Sequence, residues 1–116
     1  MPLQSILAKK LARLFPDPAR RAEAEAILAS YPDDSASMDP PRVRLAVLKL
    51  GGSDLDRLRE NMAAAHRDPR DVIAWAEYPE AMREQTWRMP PGSTELREIA
   101  ARDQRQYEAW LNDPAD

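Results

Sequence analysis

At 116 residues, with 43% apolar and 32% charged side chains, the chain has room for one hydrophobic core and not for two. Three glycines, one phenylalanine, and 19 alanines and 12 leucines against three valines and four isoleucines exclude collagen-like, glycine-linker and classical disordered classes and favour helix over sheet. A net charge of −3 gives no whole-chain attraction to nucleic acid or anionic lipid, and the absence of cysteine excludes disulfides, thiol nucleophiles and thiolate metal sites.

From the amino end, Leu3, Ile6, Leu7, Leu11, Leu14 and Phe15 recur at helical spacing with Lys9, Lys10 and Arg13 between them, which predicts one amphipathic helix. Pro16 stops it. Asp17 and Pro18 then read as an N-cap and a first-turn proline for a second helix to about Ser30, with Ala24, Ile27, Leu28 and Tyr31 on one face. The small residues Ala22, Ala26 and Ala29 suit close helix packing. Residues 1–31 are thus expected as a helical hairpin, free to pack on its own core or on a neighbour's, and to contribute a large share of a homodimer contact. Residues 32–41, with three prolines and three aspartates, read as a flexible connection.

The core is expected over 42–113. Val43, Leu45, Ala46, Val47, Leu48 and Leu50 are apolar almost all round and predict the most buried helix. Gly51 and Gly52 read as its left-handed C-terminal cap, and Ser53 as the cap of the next helix, with Asp54 and Asp56 complementing its positive dipole. Leu55, Leu58, Met62 and Ala65 then follow 3-4-3 spacing. Asp68 and Pro69 open a further helix through Val72, Ile73, Trp75 and Ala76, which breaks near Tyr78 because Pro79 disfavours helical geometry before it. Pro79 starts a short helix to Trp87. After Pro90, Pro91 and Gly92, Ser93 caps a last helix with Leu96, Ile99, Ala100, Tyr107, Trp110 and Leu111 on one face, ended by Asn112 and Pro114. The expectation is an all-α bundle of five or six short helices.

The segment Arg42 to Met82 carries Arg-x-Arg-Leu-Ala at 42–46, Leu-Lys-Leu at 48–50, Asp-Leu and Leu-Arg within 54–59, Arg-Asp-Val at 70–72 and Trp-Ala-Glu-Tyr-Pro at 75–79. In these residues it resembles the shared core of a group of small bacterial helical proteins, over roughly a third of the chain. Pro69 stands where that group carries an aromatic residue before Arg-Asp-Val. The resemblance implies no activity, cofactor or catalytic residue. Fourteen arginines against three lysines are also what a GC-rich bacterial genome encodes.

No pattern in the chain calls for catalysis, a cofactor or a metal. His66 is the only histidine, and with Asp68 and Asp71 nearby it suggests a general base or a metal site, but a helix-end histidine suits the C-terminal dipole equally well. There is no second nitrogen or sulfur ligand at metal-binding spacing. Gly51-Gly52-Ser53 lacks the context of a phosphate loop or a nucleophile elbow. Residues 43–66 have the outline of a helix-turn-helix, and Arg42, Arg44, Arg57 and Arg59 would supply a basic patch. A recognition helix opening on Asp54 and Asp56, however, would present carboxylates to phosphates. The longest apolar run, Leu45 to Leu48, is too short for a membrane span, so cytoplasmic residence is expected.

Trp75 and Tyr78 lie outside the Val72, Ile73 and Ala76 stripe, and Trp87 and Met89 flank the Pro90-Pro91 loop. Aromatic residues in such places are characteristic of association surfaces. These four residues are the candidate interaction surface of a non-enzymatic module expected to form a homodimer. A DNA-binding regulator and a small-ligand or carboxylate-based enzyme are the alternatives.

Overall fold

The computed structural model describes residues 3–32 and 39–112. They form α1 (Leu3–Leu14), α2 (Pro18–Ala29), α3 (Pro40–Gly51), α4 (Leu55–Arg67), α5 (Pro69–Glu77), α6 (Pro79–Glu84), a 3-10 turn (Thr86–Arg88) and α7 (Thr94–Asn112), with no strand among the described residues. The all-α expectation holds. Seven helices stand where five or six are expected, with the break at Tyr78–Pro79 as read, but the helix begun by Pro79 stops at Glu84, short of Trp87, because Gln85 turns left-handed at φ 54° and Trp87 falls in the 3-10 turn.

Helix α3 is the centre of the fold: Val43, Leu45, Ala46, Val47 and Leu48 are wholly buried. It packs chiefly against α4 and α5 and also touches α1 and α2. Burying a valine or leucine side chain stabilises by about 1.5–3 kcal/mol, so this segment supplies a large share of the driving force. Around it, Leu11, Phe15, Ala24, Leu28, Tyr31, Leu58, Met62, Ala65, Val72, Ile73 and Ala76 complete one continuous core. The N-terminal hairpin therefore seats its apolar face on its own chain. Ala22, Ala26 and Ala29 are exposed and take no part in close packing, and so is Ala100 on α7.

Several local expectations are corrected. Asp39 occupies the N-cap position of α3 and Pro40 and Pro41 open that helix, because proline lacks the N–H that in a first turn would find no intrahelical acceptor. The connection is thus shorter than 32–41, and its residues 33–38 lie outside the described residues. Asp54, not Ser53, caps α4, its carboxylate accepting from the amides of Asp56 and Arg57. The two glycines also divide their roles. Gly52 alone takes positive φ, at 60°, whereas Gly51 is the last residue of α3. A Cβ on Gly51 would lie 2.5 Å from Leu58 Cδ1 and 3.0 Å from the Leu58 Cα and N, so the glycine is what lets α4 approach α3.

Polar groups close the helix ends. Asp17 and Asp68 cap α2 and α5, accepting from the amides of Arg20 and Arg70. Arg21 donates to the Phe15 and Pro16 carbonyls after α1, at 2.9 and 3.0 Å, and Arg44 donates to the Leu28 and Tyr31 carbonyls at the end of α2, at 3.0 and 2.5 Å. Arginines that read as surface charge in the sequence thus satisfy orphan carbonyls. Lys10, expected on the polar face of α1, is buried: its ammonium donates to the Trp110 carbonyl and lies 4.6 Å from the Trp110 ring centroid, tying the first helix to the last.

Gly51→Ala should lower stability by about 1–3 kcal/mol, because the backbone of Leu58 cannot give way as a flexible side-chain tip would. Urea unfolding of the variant against the parent chain reads this directly, and a change below a few tenths of a kcal/mol would contradict the close approach.

Candidate functional site

The candidate surface begins with α5, whose two sides have opposite fates. Val72, Ile73 and Ala76 are buried, while Trp75 is 45% exposed and Tyr78, at the C-cap, is 46% exposed. Their spacing of three places them side by side at the end of the helix. Trp87, at 66% exposure, sits in the 3-10 turn beyond α6, and Met89 is half-buried at its end. The four expected residues are therefore on two elements. Among the described residues no ring contact joins Trp75, Tyr78 and Trp87; Tyr31 packs tilted against His66, and Tyr107 stacks on Trp110.

What holds this surface in place is α7. Asp103, 1% exposed, accepts from the amides of Glu80 and Ala81 at 2.9 and 3.0 Å and so caps α6 from outside the helix. One turn further on, Gln106 donates to the carbonyls of Ala76 and Glu77 at the end of α5, at 3.3 and 3.4 Å. The two side chains secure both sides of the Tyr78–Pro79 corner. Arg42 adds a two-pronged ion pair to Glu77, both contacts 2.8 Å, which binds the end of α5 to α3 and raises the arginine pKa. Arg102 pairs with Glu80, whose carboxyl is held below its usual range by that hydrogen bond.

Burial has electrostatic consequences at this corner. The Tyr107 phenol is pushed up to about 12, first by desolvation and second by the nearby Glu77 carboxylate, with Arg42 opposing. Burial also pulls the Lys49 ammonium down, partly countered by Asp103. The sequence reading overlooked both Asp103 and Gln106. The one signal was positional, since Asp103 falls four residues after Ile99 on an otherwise apolar stripe.

Beside Trp75 is an open groove of about 470 Å³ lined by Leu50, Asn61, Ala64, Asp71, Val72 and Trp75. Leu50, Ala64 and Val72 give it apolar lining, and Asp71 and Asn61 add polar groups.

The other chemical candidates are occupied elsewhere. The exposed His66 has Nε2 3.2 Å from Ser30 Oγ, and that hydroxyl donates to the Ile27 carbonyl at 2.6 Å, so the serine proton is directed into the helix end. Asp68 serves as a cap and pairs with Arg70. Of the four arginines expected as one basic patch, three are turned to separate partners: Arg42 faces Glu77, Arg44 faces the end of α2, and Arg59 pairs with Asp56 and Glu23. Among the described residues no group of three or more His, Cys, Asp or Glu is placed to hold a metal, and no helix is long and apolar enough to cross a membrane. No family model, curated protein or solved structure matches the chain.

Two outcomes test this geometry. Asp103→Ala should cost roughly 2–3 kcal/mol in urea unfolding, because two helix-end amides lose their acceptor, with Asp103→Asn falling between variant and parent. In an ultraviolet pH titration one phenol should ionise only near pH 12, and Tyr107→Phe should abolish that late step. Because the folded phenol holds its proton more tightly than the unfolded one, its contribution to stability is present below pH 10 and is lost as the pH rises toward 12.

Proposed function

We propose that this protein is a non-enzymatic protein-interaction module that self-associates as a homodimer, with the Trp75 and Tyr78 face of α5 at the centre of the contact and Trp87 at its edge. The observation that supports this reading is the exposure of all three rings where the other large apolar side chains among the described residues are buried or half-buried. Tryptophan and tyrosine bury large, rigid areas at small conformational cost, which is why they dominate interface energetics. The Arg42–Glu77 pair and the Asp103 and Gln106 contacts fix the far side of the corner, so the rings are presented on a rigid support rather than on a loop. A two-fold contact would set the same pair of rings from each copy against the other, an arrangement that favours aromatic stacking.

Multi-angle light scattering over a concentration series should show a dimer of the full chain. Trp75→Ala with Tyr78→Ala should weaken it by about tenfold or more while leaving the helical content unchanged, because neither ring belongs to the core. A monomer at high micromolar concentration would overturn the reading.

A further inference from the structure

We infer that the groove beside Trp75 is a socket for an arginine side chain carried by the protein that docks on this face. The inference rests on the reading of α5 as a docking surface, and it names the chemistry of the docked group.

Asp71 and Trp75 are four residues apart on α5 and so share one side of the helix, where both line the groove. Asp71 has no side-chain hydrogen bond or ion pair among the described residues. The adjacent cation, Arg70, is held at Nε and Nη2 by Asp68, at 3.0 and 2.9 Å, and interacts with Asp71 through charge but not through a hydrogen bond, which leaves the Asp71 carboxylate oxygens open to a donor. Across the groove, Asn61 Nδ2 donates to the Arg57 carbonyl at 2.8 Å, which leaves its Oδ1 as a second unused acceptor. The lining thus combines a partly exposed indole, a carboxylate, an amide oxygen and the apolar side chains of Leu50 and Val72.

Each part matches a different part of arginine. A planar guanidinium stacks on an indole and is attracted to its negative face, while its in-plane donors reach a carboxylate and a second acceptor together. The alkyl stem lies against apolar side chains. Lysine offers the charge without the plane, and a neutral aromatic group would leave the carboxylate and the amide oxygen without donors. Charge and shape together select a guanidinium.

The test is a titration with Nα-acetyl-arginine amide, read at the Trp75 indole N–H by NMR with Trp75→Phe for assignment, at a dilution where light scattering reports monomer. The expected result is a saturable shift at Trp75, with a much weaker response to the neutral isostere Nα-acetyl-citrulline amide. Asp71→Asn should weaken arginine binding by about tenfold, and Asn61→Ala by less. An equal response to citrulline, no saturable shift, or an affinity unchanged in Asp71→Asn would each overturn the socket. Asp71 is exposed and Asn61 half-buried, and circular dichroism confirms that the variants fold. The two proposals fail separately: a chain that stays monomeric yet binds the arginine probe keeps the socket and loses self-association, whereas a dimer indifferent to arginine loses only the socket.

Discussion

The structure depends on the complete burial of α3. A helix apolar on nearly every side has no face to offer water, so it must be surrounded, and α1, α2, α4 and α5 are arranged as its cover. None of these helices exceeds 13 residues, too short for much independent stability in water, and each is fixed by the apolar stripe it lays on α3 or on its neighbours. Gly51 belongs to the same constraint, since it removes the one atom that would hold α4 away from the central helix.

Many short helices mean many helix ends, and each end leaves backbone groups that need partners. The chain meets this with charged side chains used at close range: Asp17, Asp54 and Asp68 at N-termini, Arg21 and Arg44 at C-termini, and Asp103 with Gln106 across the break between α5 and α6. A composition rich in arginine and aspartate therefore reflects internal capping as much as a solvated surface. Positive charge that looked collected in the sequence is distributed over separate helix ends and ion pairs.

In the proposed reading, helix α5 links this architecture to binding. Its inner side is part of the core and its two ends are secured by Asp68 and by α7, while Trp75 and Tyr78 face outward. A surface presented in this way is ordered before a partner arrives, which reduces the conformational cost of association. If the proposed socket holds, Asp71 and Asn61, which line the same groove as Trp75, would add chemical selectivity to a face otherwise defined by area alone.

Local signals determined the helices themselves. The cap-then-proline pairs at Asp17-Pro18 and Asp68-Pro69, the Tyr78–Pro79 break and the apolar periods of α1, α3, α4 and α7 are properties of neighbouring residues, legible without any knowledge of the fold. The candidate aromatics could be named for the same reason, because Trp75 and Tyr78 fall outside the apolar stripe of their own helix. Only the tertiary structure decided that Lys10 turns inward to Trp110, that Arg42 and Arg44 point to different partners, that Asp103 caps a helix 22 and 23 positions away, and that Gly51 serves contact rather than capping. Each of these depends on which atoms of a distant segment come within about 3 Å, the range over which a hydrogen bond or a steric clash acts. Helical periodicity fixes which side of a helix a residue occupies. What lies opposite that side is set by how all the helices pack at once.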